Sequence, residues 1–135
     1  MDEKKKITNY RDLDVYQNSY AAMLLVMKEI VPKLPEFEKF DLIDQLRRSS
    51  KAIPRLIAEG YAKKHQKAGF QKYIDDAMAE SNETGVGINQ ARDIYSKYVD
   101  VKLCDQLIDA YDKVSRLLYK LGIAWTDFKS RNPKP

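Results

Sequence analysis

Two sets of carboxylates in this chain stand at helical spacing. Glu80 and Glu83 are three residues apart, and Asp105, Asp109 and Asp112 follow at steps of four and three. Residues spaced this way share one face of a helix. Carboxylates converging from facing helices can hold Mg²⁺ through oxygen ligands. A magnesium-dependent, all-α nucleotide hydrolase is therefore the one enzymatic reading the sequence offers. A single Glu-x-x-Glu is a sparse motif for that chemistry, and Asp105, Asp109 and Asp112 fit a solvated face equally well. His65 is the only histidine and Cys104 the only cysteine. One histidine excludes a di-metal site built from two Glu-x-x-His motifs of the same chain. One cysteine excludes an internal disulfide and any Cys-x-x-Cys motif. His65 sits among lysines and reads as a surface residue, while Cys104 lies on an apolar face and reads as core. No catalytic residue, metal ligand or cofactor is assigned.

The basic residues are better organised. Residues 45–72 carry eight cations (Arg47, Arg48, Lys51, Arg55, Lys63, Lys64, Lys67 and Lys72) against one acid, Glu59, for a net +7. Residues 73–112 carry three cations against nine acids, net −6. A block of the first kind is the electrostatic footprint of a nucleic-acid surface. The competing outcome is neutralisation by an acidic neighbouring helix. Arg47, Arg48, Lys51, Arg55, Lys63, Lys64 and Lys67 are the candidate nucleic-acid contacts, with Lys63, Lys64 and Lys67 meeting phosphates at an exposed corner. Tyr61 could stack an unpaired base there, while Phe70 and Tyr73 read as core. Glu59 borders an apolar stripe and needs a partner if buried. Arg48, Glu59 and Glu83 are the candidate polar clamp within the fold, with Arg55 as the local alternative.

These residues must be placed by helices. The chain has 135 residues, with 44% hydrophobic and 33% charged, and only five glycines and five prolines. That size predicts one domain, and so few helix breakers predict long helices. Apolar periodicity places helices over about 12–34, 41–62, 67–98 and 101–121. Leu13, Tyr16, Tyr20, Met23, Met27, Ile30 and Leu34 make the stripe of the first, with Asp12 as its cap. Ala21, Ala22, Leu24, Leu25 and Val26 make its middle apolar nearly all round, which predicts burial on more than one side, as a central helix or as a subunit interface through Ala22, Leu25 and Val26. The second helix starts at a capping Asp41, buries Leu42, Leu46, Ser49, Ile53, Leu56, Ile57 and Gly60, and keeps its phase across Pro54. That continuity predicts a helix bent at the proline rather than broken by it. The third carries small residues at Ala77, Ser81, Thr84 and Gly85, for close helix approach or for a bend. The fourth follows Asp100 and ends at Gly122. Residues 1–9 are expected to be a flexible arm, 10–128 a four-helix bundle, and 129–135 a disordered basic tail. The architecture is all-α, up-and-down.

The second helix carries a recognisable pattern. Asp41-Leu-Ile-Asp-Gln-Leu-Arg-Arg-Ser-Ser50, followed by Ala52-Ile-Pro-Arg-Leu-Ile-Ala-Glu-Gly-Tyr61, resembles the signature of the four-helix-bundle proteins encoded in intervening sequences of bacterial large-subunit (23S) rRNA genes. Gln45, Arg47, Arg48, Ile53, Pro54, Ala58, Glu59 and Gly60 carry the resemblance. Tyr10-Arg-Asp-Leu-Asp-Val-Tyr-Gln17 resembles the family's opening, with Tyr16 where Trp is more usual. Glu80-Ser-Asn-Glu-Thr84 is similar to an acidic element of one branch, although Gly87 departs from the aromatic that follows there. The resemblance implies a left-handed bundle assembled as a ring-shaped homopentamer. It also implies kinship with the accessory subunit of diversity-generating retroelements, a basic pentamer that associates with a reverse transcriptase and nucleic acid.

The expected function is thus that of a non-enzymatic oligomer that binds RNA, or a protein partner bound to RNA. A protein-interaction scaffold without nucleic acid and the magnesium hydrolase are the alternatives. No apolar run approaches the ~18 residues of a membrane span, and no apolar signal core follows Met1–Lys6. The expected location is cytoplasmic.

Overall fold

Leu42, Leu46, Ser49, Ile53, Ile57 and Gly60 all turn inward on one uninterrupted helix, α2 (Leu42–Ala62), with Pro54 inside it and buried. The computed structural model describes residues 6–66 and 69–131, with side chains through residue 126. The other helices are α1 (Asp14–Leu25), α3 (Gly69–Ile94) and α4 (Val101–Arg131). Each packs on its neighbours in cyclic order: α1 on α2 and α4, α2 on α3, α3 on α4. The fold is an all-α, up-and-down four-helix bundle around one core, with Leu46, Ile53, Ile57, Ile74, Ile88, Leu107, Val114 and Leu118 fully buried. Among the described residues there is no strand.

The first helix differs from its expected form in length and in phase. A short turn, Tyr10–Asp12, precedes it, and the Asp12 carboxylate accepts from the amides of Thr8 (3.0 Å) and Asn9 (3.1 Å). Asp12 therefore ties down the arm rather than capping α1. After Leu25 the chain widens into a π-turn, Val26–Ile30, and tightens into a 3₁₀ turn, Val31–Lys33, that contains Pro32. The inward residues are Val15, Ser19, Ala22, Met23, Val26 and Ile30. Of the expected stripe, Leu13, Met23, Ile30 and Leu34 are buried, whereas Tyr16 and Met27 are half-buried and Tyr20 is exposed, about a quarter turn away from Val15, Ser19, Ala22 and Val26. Both phases are apolar in sequence. Val15, Ala22 and Val26 take the core and leave the tyrosines at its edge, where their hydroxyls stay near water, and the Ser19 hydroxyl satisfies itself on the carbonyl of Tyr16 at 3.1 Å.

Small residues do the same for α3, which runs without a break. A Cβ on Gly87 would lie 2.7 Å from Leu46 Cδ2, so this glycine marks a close approach of α2 and α3. Beside it the hydroxyls of Thr84 and Ser49 sit 2.8 Å apart, both buried. On the α4 side Ser115 donates to Ser81 (2.9 Å), and Ser81 donates to the Tyr111 carbonyl (3.0 Å). Cys104 is buried and burial pushes its thiol pKa up, as suits a core residue.

Two expected helix ends move. Asp41 makes no side-chain cap; Glu38 takes the Leu42 amide instead (3.2 Å) and also accepts from the Tyr95 hydroxyl, tying the α1–α2 connection to the end of α3. Gly122 does not end α4. The apolar stripe continues through Leu118, Leu121 and Trp125, and Trp125 meets Phe70 and Tyr61 edge-on at 5.4 and 6.2 Å. Gly122 is buried within the helix, where a Cβ would lie 3.6 Å from Ile74. The expected tail begins inside α4; residues 132–135 lie outside the described residues, as do residues 1–5 of the expected arm.

Candidate nucleic-acid interface

The cations of α2 divide between two flanks of one helix. Arg47, Lys51 and Arg55 stand four apart and form one row. Lys51 and Arg55 line a groove between α2 and α1, opposite Tyr10, Tyr16 and Tyr20. Arg48 stands on the other flank, facing α3. Its Nε donates to Asp44 Oδ2 at 2.9 Å, and its charge reaches Glu80.

The polar clamp expected from Arg48, Glu59 and Glu83 is not formed. Arg48 is spent on Asp44, its neighbour one turn back. Glu83 accepts from Gln45 Nε2 at 3.1 Å. Glu59 is exposed and needs no buried partner. The acidic element on α3 works differently. Burial first, and then the hydrogen bond and charge of Glu83, push the Glu80 carboxyl pKa up, against the pull of Arg48.

The two sets of carboxylates that would have held magnesium do not converge. Asp105 lies 2.8 Å from Arg92 Nε, and Asp109 and Asp112 are exposed on α4. Among the described residues no three metal-ligating side chains converge.

The corner after α2 is basic and aromatic. Lys64 Nζ lies 3.8 Å above the Tyr61 ring, and Lys63 Nζ lies 6.0 Å from that of Tyr73. Such cation–π contacts hold both lysines over apolar surface while their ammonium groups keep contact with solvent. Lys64 also covers one face of Tyr61, the ring expected to stack a base, which meets Trp125 in a T-shaped contact. Phe70 is buried as expected, whereas Tyr73 is only half-buried. Lys67 lies outside the described residues.

Of the expected subunit-interface residues, Ala22 and Val26 belong to the chain's own core, because the corrected phase of α1 turns them inward. Leu25 stays exposed, together with Leu24. The apolar middle of α1 is thus explained in part by a wide inward face and in part by these two leucines.

The tyrosines of the α1/α2 groove escaped the sequence reading, which assigned Tyr16 and Tyr20 to the core. Tyr10 and Tyr16 meet edge-on at 5.0 Å, Tyr16 and Tyr20 stack at 5.8 Å, and the Arg11 guanidinium lies 4.7 Å over Tyr10. Burial, reinforced by the two neighbouring tyrosines, pushes the Tyr16 pKa up. The available signal was composition along α1: residues 15–28 contain no carboxylate, so the face turned toward Lys51 and Arg55 leaves their charge standing.

Residues 11–120 match the family model described as 23S rRNA-intervening sequence protein. The match runs from the turn before α1 through most of α4. No curated protein matches the chain.

Proposed function

Because the chain belongs to the 23S rRNA-intervening sequence protein family, we propose that it is a non-enzymatic, self-associating bundle that binds RNA through the exposed cations of α2 and the corner that follows. The observation that carries this reading is the split of the basic block. Arg48 turns toward the acids of α3, while Arg47, Lys51 and Arg55 line the opposite flank; among the described residues none of these three is in an ion pair. The neutralisation that a long acidic stretch threatens is confined to one side of the helix.

Self-association rests on exposed Leu24 and Leu25 of α1, and five subunits in a ring is the arrangement the family resemblance implies. A ring repeats the cationic row around its circumference, which raises avidity without any strong single site. The cytoplasm is the proposed location; no described helix is long and apolar enough to cross a membrane.

The test is to purify the chain, measure its mass by light scattering, identify copurifying nucleic acid, and titrate labelled RNA at ~50 mM salt. RNA binding is expected, with the logarithm of affinity falling against log salt by ~0.7–0.9 per phosphate contacted. Leu25→Glu is expected to lower the native mass while keeping helicity; Val26→Glu is unsuitable because Val26 is core. No binding to single- or double-stranded RNA at ~50 mM salt retires the RNA reading, and a monomeric wild-type chain retires the assembly.

One observation favours a second reading, a protein-interaction scaffold. At the end of the bundle holding both the α1–α2 and α3–α4 connections, Phe37, Phe40, Ile94 and Tyr98 are exposed, Phe40 by 88%. Exposed apolar residues gathered at one end mark a contact surface for a protein.

A further inference from the structure

The groove between α1 and α2 combines three features that a single RNA strand requires. It has rings: Tyr16 and Tyr20 already form a two-step stack at 5.8 Å, and Tyr20, 43% exposed, ends it on the solvent side. It has cations: Lys51 and Arg55 stand on the facing helix, in one row with Arg47, and Arg11 lies over the neighbouring Tyr10. It has room, about 350 Å³ over a floor that includes Pro54 and Met23. That volume lies at the small end of ligand pockets, ~300–1,000 Å³. It suits one unstacked nucleotide and not a double helix.

We propose that this groove is a subsite where an unpaired base of single-stranded RNA stacks on Tyr20, extending the Tyr16–Tyr20 column, while Lys51 and Arg55 hold the flanking phosphates. The proposal rests on the RNA-binding reading above and assigns it a location and a preferred form of RNA. Aromatic stacking accepts every base, because every base has a π-face, so the groove selects for single-strandedness and not for sequence. The electrostatics agree. With no carboxylate from residue 15 to residue 28, an incoming phosphate meets no fixed negative charge from that stretch of the wall.

The experiment is a polarisation titration of the full chain with a fluorescein-labelled single-stranded RNA of about 12 nucleotides, within the ~4–16 nucleotides that single-strand-binding folds cover. The same strand annealed to its complement is the control. Tyr20→Leu keeps apolar bulk at an exposed position and removes the ring. It is expected to weaken single-strand binding roughly 5- to 150-fold, the loss of one base–aromatic stack. Its salt slope should be unchanged and its duplex binding unaffected, and Tyr20→Trp should restore affinity. Lys51→Gln with Arg55→Gln is expected to lower the salt slope by ~0.7 for each phosphate contact removed. A strand carrying 5-iodouridine should photocrosslink to the peptide that holds Tyr16 and Tyr20.

If the wild type binds RNA and Tyr20→Leu binds it equally well, or the crosslink maps elsewhere, the subsite is wrong and the broader RNA reading survives. If the wild type binds neither form, that reading falls and takes the subsite with it. If Tyr20→Leu changes the native mass instead of the affinity, a second copy of the chain covers the groove and the proposal is overturned.

Discussion

The two flanks of α2 are built from the same residue types and do opposite things with them. Toward α3, Gln45 and Arg48 meet Asp44, Glu80 and Glu83, and below them Ser49 and Thr84 close a buried polar seam beside Gly87. There Arg48 is paired within its own helix, and Gln45 to Glu83 and Thr84 to Ser49 are the hydrogen bonds that cross between helices. Toward α1, Lys51 and Arg55 face tyrosines and no carboxylate. The difference lies in the partner helix. α3 supplies acids at the height of Arg48, whereas α1 supplies rings and small side chains. Net charge over a segment therefore says little about function until the neighbour of each flank is known.

Charge reversal separates the flanks most sharply. Lys51→Glu with Arg55→Glu is expected to reduce RNA affinity on the order of 10- to 100-fold at ~50 mM salt, since two counter-charges become repulsive. Arg48→Glu should cost far less affinity, because that cation is already committed to Asp44; polarisation titrations of both variants decide it. The next effect is on stability. Thr84→Val strips the buried Ser49 hydroxyl of its partner and should destabilise the fold by about 1–2 kcal/mol, read from the urea midpoint, with RNA affinity unchanged.

Two glycines one turn-fraction apart should respond with opposite signs. Gly87→Ala forces Leu46 aside, and overpacking of about 1–3 kcal/mol outweighs the ~1 kcal/mol that alanine adds to a helix. Gly85→Ala meets only Tyr111 Cβ at 3.8 Å and should stabilise by up to ~1 kcal/mol. Thermal melts of the pair test it.

The smallest effect concerns pH. The Glu80 carboxyl pKa is raised in the folded state, chiefly by burial. A raised carboxyl binds its proton more tightly folded than unfolded, so it opposes folding when ionised and ceases to do so as pH falls through its raised range. Glu80→Gln should therefore stabilise the chain at neutral pH, with the gain shrinking as pH is lowered. Urea midpoints of both proteins across that range check the sign.

The inward stripes of α2, α3 and α4 were legible in the sequence because each has one apolar face with polar residues on the other. α2 was clearest: its stripe kept phase through Pro54, and the helix does run through. α1 was not legible in that way. With Tyr16, Tyr20 and Met27 on one phase and Val15, Ala22 and Val26 on another, both phases carry apolar bulk, and the tyrosine hydroxyls, which favour a place at the edge of the core, decide against the first. The Arg48 clamp failed for a related reason: spacing shows which residues share a face, and Asp44 was nearer than any cross-helix partner. The candidate cations were visible by type and block, but their division between flanks depends on which helix lies beside each row. The groove tyrosines were hidden because an aromatic at helical spacing reads as core until the phase of its helix is fixed.

The continuation of α4 past Gly122 has an optical consequence. It carries Trp125, the only tryptophan in the chain, into a half-buried place against Phe70 and Tyr61. An indole held there emits at shorter wavelength than one in water, so tryptophan emission reports on this end of the bundle alone, while circular dichroism sums over all four helices. Tyr61 also carries Lys64 on its ring face, which places the chromophore next door to the basic corner. A native two-state chain gives coincident melting curves by both probes. Any separation between them measures, in degrees, how independently that corner opens.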